Sequence, residues 1–163
     1  MVEAANRAVV GPMGAVAEAF FEAVGRHLKE QFDIQELVVE NSGDIFLKIE
    51  RNLLISIYAG SSPLEEKIGI EIQASESPFG ACTSAGTVGP SVSLVKTDAT
   101  MIICRSTALA DALATTFGNL VQVSDDIQSV TKQMELFSEI LSAVIICRDK
   151  IGICGKFEMK LIK

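Results

Sequence analysis

The chain has 163 residues, 48% of them hydrophobic and 21% charged, enough for one domain with a sizeable apolar core. Its formal charge is −7 and its 14 basic residues are scattered, which argues against a nucleic-acid-binding face and an anionic membrane surface as partners. With no Trp and a single Tyr, the chain also lacks an aromatic stacking platform.

The start, Met1-Val2-Glu3-Ala4-Ala5-Asn6-Arg7, has no basic segment followed by a long apolar run, so no secretory signal is expected. No apolar stretch reaches the roughly 18 to 20 residues that span a bilayer. A cytoplasmic protein is expected, and its four cysteines (Cys82, Cys104, Cys147, Cys154) fit that setting as reduced thiols. They form no C-x-x-C pair, and the chain has one histidine, so a zinc site is not expected.

Residues 12–30 read as a helix with Val16, Phe20, Ala23, Val24 and Leu28 as its apolar face, Glu18, Glu22, Arg26 and Lys29 as polar positions, and His27 at the core edge. Gly11-Pro12-Met13-Gly14-Ala15 leads into it. Small residues at a helix start suit either an anion or close packing on a sheet. Glu36–Glu40 and Ile45–Ile49 read as strands joined by the tight turn Asn41-Ser42-Gly43-Asp44. Asn52–Tyr58 and Lys67–Gln73 read as two more, the second alternating Ile68, Ile70 and Ile72 with polar or small residues.

Ala74–Thr97 reads as a long loop, rich in glycine and hydroxyls and poor in residues that could fill a core. A loop of this length is either a cradle for phosphate or substrate or a plain connection. Ala99–Cys104 reads as a short buried strand. It leads straight into a helix over Ser106–Asn119, capped by Ser106 or Thr107, with Leu109, Leu113 and Phe117 one turn apart. Asp111 and Thr115 form a second i,i+4 pair among alanines. Together they are either a solvated carboxylate and a gap filler, or two oxygen ligands for a hard cation such as Mg²⁺. Ser124-Asp125-Asp126 caps a further helix with Ile127, Val130, Met134, Phe137 and Leu141 as its core face. Ala143–Cys147, Ile151–Cys154 and Phe157–Ile162 end the chain as strands. The predicted class is α+β: a mostly antiparallel sheet with packed helices in a single domain over residues 1–163.

The run Ser106-Thr107-Ala108-Leu109-Ala110-Asp111-Ala112-Leu113-Ala114-Thr115 resembles the signature of the ApbE family, the FAD:protein FMN transferases once called thiamine biosynthesis lipoproteins. Three further pieces follow that family's order. Gly14–Phe20 is similar to its first glycine-rich helix start, Asn41–Ile45 to its Gly-Gly-Asp-Ile turn, and Cys82–Gly86 to its Ala-Thr-Ser-Gly loop. Cys82–Gly89 and Asp149–Gly152 further resemble an uncharacterised cytoplasmic ApbE-like subgroup of anaerobic bacteria and archaea. Longer relatives carry a segment before the first helix, so a missing N-terminal segment, with a homo-oligomer covering the face it would leave, is one expectation.

The resemblance implies an ApbE-like fold and Mg²⁺ held by Asp111, Thr115 and a backbone carbonyl near Ala17. Gly43, Asp44, Thr83, Ser84, Gly86 and Thr87 would line the site of FAD or a related flavin or adenine nucleotide. The implied reaction is Mg²⁺-assisted transfer of FMN to a Thr or Ser of an acceptor flavoprotein. The alternative is a non-catalytic member acting through partners, in anaerobic sulfur metabolism. Where the family carries an acidic residue before its first glycines and a lysine after them, the matching positions in this chain lie near Val10 and Glu18. The family's His-x-Ile-Asp-Pro-x-Thr-Gly segment has no counterpart in this sequence, and its export signal is not expected here. A third reading makes the chain a structural module with Asp111 salt-bridged to Lys96 or Lys150.

Overall fold

The computed structural model describes residues 1–86 and 95–162. The chain opens with α1 (Val2–Ala8), a 3-10 turn (Pro12–Ala15) and α2 (Val16–Gln31). It continues through β1 (Leu37–Asn41), β2 (Asp44–Lys48), β3 (Leu53–Ser56), β4 (Ile68–Ile72), β5 (Phe79–Ser84) and β6 (Ala99–Cys104). Then come α3 (Thr107–Leu120), α4 (Ile127–Met134), β7 (Ile140–Cys147), β8 (Lys150–Gly155) and β9 (Glu158–Leu161).

Six strands form a sheet in the order β1-β2-β5-β6-β7-β8, and β3, β4 and β9 form a smaller sheet. Every paired neighbour is antiparallel. β6 is buried on both faces because successive side chains point to opposite sides. Ile102 and Cys104 join a core with α1, α3 and α4. Ala99, Met101 and Ile103 join a second core with Ile68, Ile70 and Ile72 of β4. The large sheet is therefore the middle of three layers, with the helices on one side and the small sheet on the other. This is the expected α+β, mostly antiparallel class.

Several expectations change in detail. The predicted loop over 74–97 contains β5, a central strand whose Phe79, Gly80, Ala81 and Cys82 are buried. It looked core-poor because its helix-facing residues must be small. A Cβ on Gly80 would stand 2.5 Å from Thr107 Oγ1 and 2.6 Å from Thr107 Cβ, so α3 rests almost directly on the strand. Leu141 lies in β7, and α4 stops at Met134. α1 had no strong apolar period, yet it packs through Ala4 and Ala8.

α2 is turned relative to its expected face. Glu18, Phe21 and Gly25 are its buried residues, while Phe20 is 73% exposed and Val16 and Val24 are 40% and 37% exposed. His27 is exposed rather than at the core edge. The cause is a close approach: a Cβ on Gly25 would stand 2.5 Å from the Phe46 ring. The helix therefore seats its glycine on β2, and whatever lies on the glycine's stripe goes inward with it.

Candidate functional site: three converging carboxylates

Glu18 lies two turns before Gly25 on that inward stripe, so the packing that seats α2 carries a carboxylate into the helix–sheet interface. Asp44 arrives from the opposite side at the first position of β2. The preceding turn uses Ser42 and Gly43 at φ 56° and 95°, the left-handed pair of a two-residue hairpin. The Glu40 carboxylate accepts the Gly43 N–H at 2.7 Å, fixing where β2 begins. The Thr83 N–H donates to Asp44 Oδ1 at 2.8 Å, tying the carboxylate to β5.

Asp111 comes from the second turn of α3. The expected N-cap of that helix is Ser106, but its own side chain does not cap it. Glu22 of α2 does so instead: its Oε2 accepts the Thr107 N–H at 2.6 Å and faces Ser106 Oγ at 3.4 Å, while its Oε1 accepts from Arg26 at 2.7 Å. A carboxylate suits the positive end of a helix. Here it also fixes α3 against α2, and so Asp111 against Glu18. At the far end, Thr116 donates to the Ala8 carbonyl at 2.5 Å, tying α3 to α1.

One ligand oxygen each from Glu18, Asp44 and Asp111 lies within 4.8 Å of the others. Glu18 is 7% exposed, and its Oε2 is buried with no hydrogen-bond partner. No ion pair reaches any of the three among the described residues. Burial, with the Glu18 charge beside it, pushes Asp111 up to about 8. Burial likewise pushes Asp44 up to about 7, partly offset by the Thr83 N–H and reinforced by Glu18. The fully buried Cys82 lies beneath them on β5. Its thiol donates to the Thr107 carbonyl at 3.5 Å, and burial with the neighbouring carboxylates holds its pKa well above the usual thiol range.

Three carboxylates without a cation in their midst repel one another, and burial raises the cost. The donor set fits a hard divalent cation, which takes carboxylate, hydroxyl and carbonyl oxygens.

The other predicted residues lie around this point. Ala17 precedes Glu18 in the first turn of α2, and Thr115 lies one turn beyond Asp111; both are half-buried. Thr83 reaches Asp44 through its backbone, and Ser84 ends β5. Gly43 sits in the exposed turn before Asp44. The Gly86 N–H donates to the Thr97 carbonyl at 2.9 Å, and a Cβ there would collide with the Val95 carbonyl. Thr87 lies outside the described residues. Lys150, one suggested partner of Asp111, pairs with Asp125 instead. Glu18 is the member that sequence reasoning assigned to a polar face. Its signal was spacing: it shares a seven-residue stripe with Gly25, the glycine that must face the sheet.

This arrangement of helices on an antiparallel sheet, with acids converging between α2, β2 and α3, is an ApbE-like α+β fold. A solved structure of a variant of the flavin transferase ApbE from Vibrio cholerae superposes with a TM-score of 0.54 over 90% of this chain and 46% of that one, at 20% identity. A family model described as AbpE bacteria matches residues 1–146, and the chain belongs to that family. A UPF0280 protein of Methanococcus maripaludis strain C7 is 37% identical over 161 residues, covering 96% of this chain and 64% of that protein. UPF0280 proteins of Methanosarcina acetivorans and Methanocaldococcus jannaschii are 38% and 34% identical, with 96% of this chain covered in each and 61% and 64% of those proteins. The chain thus spans less than two thirds of the length of these curated relatives. Among the described residues no single helix is long and apolar enough to cross a membrane.

Proposed function

We propose that this protein binds FAD or a related flavin or adenine nucleotide through Mg²⁺ and transfers FMN to a Thr or Ser of an acceptor protein. The observation that carries the reading is the placement of Asp111, the acid of the family-like helix, against Asp44 of the family-like turn, their side chains meeting over β5. Fold-level likeness to a flavin transferase adds to it. Asp111, Thr115 and the carbonyl near Ala17 would hold the cation. When bound, that cation neutralises pyrophosphate charge and polarises the phosphoryl oxygens.

The chain's own residues would do the rest. The Ser42-Gly43 turn and the Thr83-Ser84 end of β5 stand beside Asp44, where small and hydroxyl groups allow a nucleotide backbone to come close. Gly86, two residues beyond the end of β5, would continue that edge. Glu22 keeps α3 in register, so that Asp111 stays aimed at the same point.

The test is incubation with FAD, Mg²⁺ and a Thr- or Ser-containing acceptor peptide. AMP release together with flavin fluorescence on the peptide is expected, and both should vanish in Asp111→Ala. No AMP with any acceptor, combined with no FAD-dependent rise in melting temperature, would reject the reading. One observation favours a second reading, a non-catalytic member acting through a protein partner: Met13, Val16 and Phe20 leave an apolar surface on and before α2 open to solvent. In that case FAD and Mg²⁺ would produce no AMP, and Phe20→Asp would abolish partner capture without lowering stability.

A further inference from the structure

We propose that Glu18, Asp44 and Asp111 form a resident divalent-cation site, filled in the nucleotide-free protein, with Glu18 as a direct ligand. The inference rests on the reading above for its location and goes beyond it in ligand set and order of events: the cation is part of the folded protein before any nucleotide arrives.

Glu18 carries the argument. A carboxylate oxygen buried with no partner is costly, because the desolvation of a charged oxygen goes uncompensated. Glu18 Oε2 is such an atom, in a side chain more than nine-tenths buried, and an oxygen of the same residue lies within 4.8 Å of acid oxygens from two other elements. Chance exposure of acids at a surface does not account for this, because α2 turns apolar Phe20 outward while it turns Glu18 inward.

The spacing suits one ion. Oxygens on opposite sides of a single cation stand about 4.2 Å apart for Mg²⁺ and about 4.8 Å for Ca²⁺, twice the metal–oxygen distance, and adjacent ligands stand closer. All pairs here fall within 4.8 Å, the larger of the two spans. Oxygen donors alone favour Mg²⁺, Mn²⁺ or Ca²⁺ over the thiophilic metals. The Cys82 thiol points elsewhere, donating to the Thr107 carbonyl at 3.5 Å. A cluster of three carboxyl groups is also a poor environment for a bare pyrophosphate, and a cation already in place would ease the approach of a nucleotide's phosphates. A site that needed the nucleotide to complete its ligand set would not have to bury a third acid.

The experiment is calorimetric titration of Mn²⁺, then Mg²⁺, into chelator-treated, nucleotide-free protein: wild type, Glu18→Gln and Asp111→Asn. One site per chain is expected in the wild type, weakened at least tenfold in both variants. In chelator, the melting temperature of Glu18→Gln should equal or exceed that of the wild type, which shows that the variant folds. Equal Mn²⁺ affinity in wild type and Glu18→Gln would overturn the assignment of Glu18. Uptake of Mn²⁺ only after FAD is added would overturn the resident site while leaving flavin-nucleotide binding intact. A nucleotide-free site of the expected kind with no FAD-dependent melting shift would uphold this inference and remove the nucleotide reading instead.

Discussion

Gly80→Ala tests the link between the packing of α3 and the carboxylate cluster. The added methyl would stand 2.5 Å from Thr107 Oγ1, 2.6 Å from Thr107 Cβ and closer still to the Thr107 backbone, whereas ordinary contact begins near 3.4 Å. The first turn of α3 must therefore retreat by about 1 Å, and overpacking of this kind costs about 1–3 kcal/mol. The retreat would also lengthen the 2.6 Å bond between the Thr107 N–H and Glu22. Losing a charged cap adds about 1 kcal/mol. The sum, about 2–4 kcal/mol, corresponds to a fall in melting temperature of roughly 5–15 °C for a domain of this size. Because Asp111 rides on the same helix, the affinity for Mn²⁺ should fall as well. Thr107→Ala in the same chain should not rescue either property, because the obstruction includes the Thr107 main chain, which alanine retains. Differential scanning calorimetry and the Mn²⁺ titration measure both effects. A Gly80→Ala protein that melts within about 1 °C of wild type and binds Mn²⁺ equally would show that α3 is not seated on β5 as described.

Four further outcomes are expected. Glu22→Ala should lower stability by about 1–2 kcal/mol in denaturant unfolding, and Glu22→Gln, which keeps an acceptor oxygen, by less. Leu113 is fully buried in the helical core, so Leu113→Ala should cost about 3 kcal/mol. All four cysteines are buried, and burial raises each thiol, Cys104 to about 12 and Cys154 to about 11. A thiol reagent at about pH 8 should therefore modify none of them in native protein and all of them in denaturant. In chelator, stability should fall as pH rises. Asp44 and Asp111 titrate at about 7 and about 8 when folded, above their unfolded values, so the folded chain holds protons that the unfolded chain has released. Their contribution is complete below about pH 4 and is lost through pH 7 to 8, about 2 kcal/mol after discounting for partial exposure. Asp111→Asn should flatten that slope in a melting series, and saturating Mg²⁺ should reverse it.

Much of the fold was legible because strand alternation and turn chemistry are local. Ile68, Ile70 and Ile72 announce a one-sided strand, and Asn41-Ser42-Gly43-Asp44 announces the hairpin that the Ser42 and Gly43 dihedrals form. β5 was not legible, because its size constraint comes from α3, more than twenty residues later in the chain. A strand of Gly, Ala, Cys and Thr reads as a loop until the helix that presses on it is known. The same holds for the cap of α3, where the local candidates Ser106 and Thr107 yield to Glu22, a residue from another helix.

The site divides along the same line. Asp44 and Asp111 could be singled out because each lies in a short stretch that resembles a family motif, Asp111 also forming an i,i+4 pair with Thr115. Glu18 could not, since amphipathic analysis ranks Val16, Phe20 and Val24 as the face to bury and so puts Glu18 in water. That ranking weighs side-chain transfer energies, roughly 1.5–3 kcal/mol for each large apolar group. It omits steric access. Only the stripe containing Gly25 can approach the Phe46 ring at 2.5 Å from a Cβ position, so geometry selects the face and Glu18 is buried with it. The apolar side chains left outside forgo a few kcal/mol that a core-optimised helix would have gained. A helix built only for stability would exchange Glu18 and Phe20. Keeping the acid inside and the aromatic outside is intelligible if each meets something beyond this chain, a cation at Glu18 and a protein surface at Phe20. The single exchange Glu18→Leu separates the two: it should raise the melting temperature in chelator and abolish cation binding, while leaving the Phe20 surface unchanged.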